Sequence, residues 1–169
     1  MKFGAILSLT ILLTGCATSQ TTISYSGEFN LQVPTKLLSG STVFTADGLS
    51  VGWPEGNLIS GIVITKELES LPSDFDLKDY PKYLFNIKNK KDLDKKTANV
   101  IKNSANEIDH SFGIENLTIK SKFDTKVYSA CKGRKCIAFI IKDNVTDHIL
   151  SLYSQGITEK ELNSLAEGI

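Results

Sequence analysis

The most regular alternation of apolar and polar side chains in this chain lies between residues 22 and 33. Ile23, Tyr25, Gly27, Phe29, Leu31 and Val33 fall on one face, and Thr22, Ser24, Ser26, Glu28, Asn30 and Gln32 on the other. A period of two with one polar face predicts a single strand, bulged at Gly27 and ended by Pro34. Leu49 to Trp53 and Leu58 to Thr65 predict a hairpin, because Trp53-Pro54-Glu55-Gly56 places proline second and glycine fourth in the turn. Helical spacing then takes over. Asp79 or Ser73 is positioned to cap a helix carrying Leu84, Phe85 and Ile87, with Pro81 tolerated in its first turn. A second helix follows from Leu93, Thr97, Val100, Ile101, Ala105 and Ile108, which leave Lys91, Lys95, Lys96 and Lys102 outside.

The second half returns to strand periodicity. Lys126 to Cys131 and Cys136 to Ile141 read as two strands joined by the four-residue turn Lys132-Gly133-Arg134-Lys135, a register that sets Cys131 opposite Cys136. One face then carries Val127, Ser129, Cys131, Cys136, Ala138 and Ile140, and the other Tyr128, Ala130, Ile137, Phe139 and Ile141. Both faces are apolar. Such a sheet needs cover on both sides, from helices on each face or from a helix layer and a long loop. Another strand follows from His148 to Ser154, and Leu117, Ile119 and Phe123 alternate with Thr118, Lys120 and Lys122 upstream, giving an antiparallel meander. Thr158-Glu159-Lys160-Glu161 is a capping-box sequence, and Leu162, Leu165 and Ile169 form the apolar stripe of a last helix. The expected fold class is α+β: a mainly antiparallel sheet with helices packed on it, in its fullest form a three-layer α/β/α sandwich. The order of elements and the ending Leu150-Ser151-Leu152-Tyr153-Ser154-Gln155-Gly156-Ile157-Thr158-Glu159-Lys160-Glu161-Leu162 resemble the PsbP-like α/β/α sandwich, a resemblance that implies a fold and no residue role.

At the N-terminus, Lys2 precedes a mainly apolar run from Phe3 to Leu13. A bilayer-spanning helix needs about 20 apolar residues, so a basic start and a shorter run describe an export signal. Leu13-Thr14-Gly15-Cys16 resembles the lipobox of bacterial lipoproteins. That resemblance implies a signal peptide at 1–15, a lipidated tether at 16–22 whose Cys16 carries the lipid, and one globular domain at 23–169. Ala17 stands where an aspartate would favour inner-membrane retention, which implies an outer-membrane anchor facing the periplasm. Several acyl chains at about 0.8 kcal/mol per buried CH₂ make such an anchor stable.

Composition narrows the chemistry. A hydrophobic fraction of 41% with 22% charged residues excludes wholesale disorder, and 19 basic against 19 acidic side chains leave no excess to attract nucleic acid. With Cys16 lipidated, Cys131 and Cys136 remain for a disulfide in an oxidising compartment, worth about 2 kcal/mol for so short a loop. Their spacing is not the C-x-x-C of redox sites. His110 and His148 belong to no zinc-binding spacing, and no P-loop or G-x-G-x-x-G occurs. Asp147 and His148, read as neighbours on a strand, are expected to point to opposite faces. Asp74 to Asp79 lacks the glycine of a calcium loop and places Lys78 at a ligand position. The expectation is therefore no catalytic residue, no cofactor and no metal.

Acids concentrate between residues 41 and 80 and bases between 81 and 142. Lys132, Arg134 and Lys135 gather at one turn with the chain's only arginine, a candidate contact for an acidic partner or lipid phosphates. Trp53 reads as a packing anchor. The functional expectation is a lipid-anchored, noncatalytic envelope protein that binds a macromolecular partner, as an accessory subunit or an immunity-type protein. The alternative is a periplasmic module binding a small ligand or lipid near Trp53 and Tyr25. Cys16→Ser with the signal intact is expected to move the protein out of the membrane fraction and to remove the mass of the acyl chains. Cell fractionation and intact-mass measurement check this, and an unchanged mass contradicts the anchor.

Overall fold

The computed structural model describes residues 19–45 and 48–166; the expected signal peptide at 1–15, Cys16 and Ile169 lie outside the described residues. Strands β1 (Gln20–Ser24) and β2 (Asn30–Pro34) are followed by β3 (Thr42–Thr45), β4 (Leu49–Gly52) and β5 (Leu58–Thr65). Helices α1 (Tyr80–Leu84) and α2 (Lys95–Phe112) precede β6 (Thr118–Lys122), β7 (Thr125–Lys132), β8 (Lys135–Lys142), β9 (His148–Gln155) and helix α3 (Glu159–Ala166). An antiparallel seven-stranded sheet has the order β3-β4-β5-β9-β8-β7-β6, and β1 and β2 form a separate two-stranded sheet. The fold is α+β.

The doubly apolar strands sit in the middle of this sheet. Tyr128, Ala130, Ile137, Phe139 and Ile141 face α1 and α2, with Phe139 meeting Tyr80 and Phe85 edge-on at 6.3 and 5.9 Å between ring centroids. On the reverse face Val127, Ala138, Ile140, Leu150 and Leu152 pack beneath Ile23, Phe29, Leu31 and Val33 of the β1–β2 hairpin and Leu162 and Leu165 of α3. The molecule is thus three-layered, and its second outer layer is a β-hairpin plus one helix.

That hairpin corrects the expectation of one continuous strand over 22–33. Tyr25 N–H donates to the Phe29 carbonyl at 2.9 Å, and the Ser26 hydroxyl oxygen accepts from the N–H groups of Glu28 and Phe29 at 3.3 Å each, so the chain folds back at Gly27. The register pairs Ile23 with Leu31 and Thr22 with Gln32. Cross-strand partners share a face, so the alternation continues across the turn and imitates a single strand.

The Cys131–Cys136 register is as expected, and the two residues are joined by a disulfide. The turn is tighter than four residues, because Lys132 pairs with Lys135 and only Gly133 and Arg134 remain, with Gly133 at φ 63°. Helix α1 is shorter than its sequence implied. The Asp79 carboxylate turns to Lys82 and Lys88 instead of capping, Asn86 reverses the chain at φ 56°, and Ile87 is left 47% exposed. Helix α2 starts where Asp94 accepts from Lys96 and Thr97 N–H at 2.9 and 3.1 Å, and it buries Thr97, Ile101, Ala105 and Ile108. The capping box of α3 forms, with Thr158 N–H donating to Glu161 Oε2 at 2.9 Å and Glu161 N–H to Thr158 Oγ1 at 3.3 Å. Phe123 departs from its predicted strand. It occupies the β6–β7 turn at φ 53° and is 95% exposed.

Phe139→Ala is expected to cost about 3–5 kcal/mol, whereas Phe123→Ala should stay within about 0.5 kcal/mol of wild type. Urea denaturation followed by circular dichroism measures both.

Candidate functional site

The β4–β5 turn fixes Trp53. Its N–H donates to the Asn57 carbonyl and its carbonyl accepts from Gly56 N–H, each at 2.9 Å, with Gly56 at φ 86°. The indole Nε1–H donates to the Leu37 carbonyl at 2.8 Å, which pins the ring against the short 3₁₀ turn Thr35–Leu38. Between this turn, β2 and α3 opens a cleft of about 570 Å³. Its floor is Val33, Ile59, Ile157 and Leu165, Trp53 and Leu37 form a wall, and Gln20, Lys36, Glu55 and Glu161 stand among its polar lining. Cleft size and a mainly apolar lining with a few polar groups match sites for small molecules. Hydrogen bonds from the Thr158 N–H and hydroxyl hold the Glu161 carboxyl below its ordinary range, so it is ionised at neutral pH.

A second constellation corrects the reading of Asp147 and His148. Asp147 precedes β9 instead of lying on it, so the two side chains are not forced apart, and Asp147 Oδ1 meets His148 Nδ1 at 2.7 Å. This hydrogen bond lowers the Asp147 carboxyl below its ordinary range. His148 Nε2 lies 3.3 Å from both Ser26 Oγ and Glu28 Oε2, and its ring meets the edge of Phe29 at 5.5 Å. Hydroxyl, imidazole and carboxylate stand in the order of a nucleophilic triad. The Ser26 hydroxyl, however, accepts from two backbone N–H groups and donates to Glu28 at 3.2 Å, so it holds the hairpin turn together. Lys142 Nζ also donates to the Glu28 carbonyl at 2.8 Å. Together these contacts latch the β1–β2 turn onto β8 and β9. His110 lies apart, exposed in the last turn of α2.

The three basic residues of the β7–β8 turn have different fates. Arg134 donates to the Gly156 carbonyl at 2.8 Å and reaches Asn57 Oδ1 at 3.5 Å, while Gly156 N–H returns a bond to the Arg134 carbonyl at 2.8 Å. Lys132 Nζ donates to the His110 carbonyl at 3.2 Å. Arg134 thereby ties the turn to the loop before α3, and Lys135 is exposed beside it.

Sequence reasoning missed β3, one of the two edges of the main sheet. Val43 is 61% exposed and Phe44 46%, and the strand Thr42–Thr45 contains neither charge nor proline. The opposite edge, β6, carries Lys120 and Lys122, the usual guard against strand addition. The signal for β3 was present in its β-branched and aromatic run ending before Gly48.

Among the described residues no group of three or more His, Cys, Asp or Glu is placed to hold a metal, and no helix is long and apolar enough to cross a membrane. No family model, curated protein or solved structure matches the chain.

Tyr25 lies on Gly61 of β5, where a Cβ would stand 2.2 Å from a ring carbon. Its hydroxyl is buried with no hydrogen-bond partner among the described residues, and burial pushes the phenol up to about 12. Gly61→Ala is expected to destabilise by about 1–3 kcal/mol and to be largely relieved in a Tyr25→Ala background, measured as a double-mutant cycle. The raised phenol contributes stability that is complete below its unfolded value near 10 and is lost as pH rises toward about 12. Absorbance titration at the phenolate band, compared with Tyr25→Phe, checks the sign.

Proposed function

We propose that this chain is a lipid-anchored, noncatalytic protein of the bacterial envelope, held at the outer membrane and facing the periplasm, that acts by binding a macromolecular partner. Its class is an accessory subunit of an envelope assembly or an immunity-type protein. The observation that carries this reading is the open β3 edge, with Val43 and Phe44 exposed and no charge or proline to repel an incoming strand. An edge strand offers a row of backbone donors and acceptors, so a partner strand gains affinity from the backbone and specificity from alternate side chains. Lys135, at the basic turn with Lys132 and Arg134, is a second candidate contact for an acidic partner. A second reading, a periplasmic module binding a small ligand or lipid, is favoured by the cleft beside Trp53.

Site-specific photo-crosslinking in intact cells tests the lead reading. A photoreactive residue at Val43 is expected to give one adduct of defined mass that disappears in Phe44→Lys, while the same probe at Phe123 gives none. A Val43 probe that yields only the background seen at Phe123, in cells where an established envelope complex crosslinks, rejects it.

A further inference from the structure

We infer that the Trp53 cleft binds an acyl chain of a zwitterionic membrane phospholipid. The inference rests on the lipid anchor at Cys16 and deepens the second reading above. Its first support is where the chain leads. Gln20 lines the cleft, and Cys16 lies four residues upstream of it. At no more than about 3.6 Å per residue, the Cys16 Cα stands within about 14 Å of the Gln20 Cα. The headgroup region of a bilayer leaflet is about 5–8 Å deep, so a lipid held at Cys16 keeps the cleft beside the membrane surface.

The chemistry of the cleft fits what that surface offers. Val33, Ile59 and Leu165 bring no hydrogen-bonding side chain to the floor, which suits hydrocarbon, while Gln32, Ser39, Asn57 and Ser164 are polar lining available to a headgroup. Leu37 is 53% exposed at the wall, and the Trp53 indole N–H is already bonded to the Leu37 carbonyl. Tryptophan and a neighbouring aliphatic side chain are the residues that settle at the headgroup boundary. Lys36 complements a lipid phosphate, while Glu55 and Glu161 oppose a net-anionic headgroup and complement an ammonium. Mixed charge around hydrocarbon selects a zwitterionic headgroup such as phosphatidylethanolamine.

Trp53 is the chain's only tryptophan, so its fluorescence reports on this cleft alone. The full chain carrying Cys16→Ser would be titrated with short-chain phosphatidylethanolamine kept monomeric, with plain or brominated acyl chains. The expected result is a blue shift with the plain lipid and saturable quenching by the brominated one. Affinity should fall by about ten-fold or more in Leu37→Glu, several-fold in Lys36→Glu, and not at all in Phe123→Glu. Circular dichroism confirms that each variant is folded. Absence of quenching, or quenching unchanged in Leu37→Glu, overturns the inference. So does quenching that appears only with bilayer vesicles, which would mean surface contact without chain entry. Membrane fractionation of the lipidated protein and the Val43 crosslink report separately on anchor and partner, so failure here is distinguishable from failure of the proposed function.

Discussion

The whole arrangement follows from one constraint: the central strand β8 is apolar on both faces. Every side chain from Cys136 to Ile141 is buried, and the neighbouring strand β9 buries Ile149 and Leu150 to opposite sides. Leaving either face in water would expose several large side chains at about 25 cal/mol per Å², enough to exceed the net stability of a small domain. The helices α1 and α2 cover one face. On the other, α3 alone is too short, and the β1–β2 hairpin completes the layer. The Trp53 cleft is the seam left between that hairpin, the turn after it and α3. Because the hairpin begins at Gln20, the same device that buries the second face sets Gln20 at the edge of the cleft.

The latch at the hairpin turn serves this cover. Ser26, Glu28 and Phe29 belong to the turn, while His148 and Lys142 belong to the sheet beneath it, and their contacts fix the hairpin at the end opposite the cleft. A hydroxyl, an imidazole and a carboxylate meet there, at the partly wet margin where the two elements are fastened. A second cleft of about 750 Å³ opens at this point, lined by Ser26, Asp147 and His148 themselves together with Tyr25 and Lys66. The sheet edges divide in a comparable way, with lysines on β6 and an uncharged run on β3.

Much of the fold was legible because its signals are local. The cysteine register, the two apolar faces of β7 and β8, the β4–β5 turn and the α3 capping box each depend on a few adjacent residues, and each is found where the sequence placed it. The failures have a common cause in cross-strand symmetry and tertiary choice. Alternation in β1 and β2 could not reveal a reversal at Gly27, because antiparallel partners keep the same face. Asp147 was assigned to a strand that starts one residue later, which hid its bond to His148. The cleft was legible only as Trp53 beside a turn, since its floor comes from β2, β5 and α3, segments far apart in the chain. Arg134 was visible as a cation, but its bond to Gly156 required the loop before α3 to be in place.

Amide hydrogen exchange of the protein in native cell envelopes, compared with the same protein purified in detergent, tests most directly whether it works as a binding module. The amides of Thr42–Thr45 are expected to slow in the envelope while those of Thr118–Lys122 exchange alike in both. Equal exchange of β3 in the two states would contradict that reading.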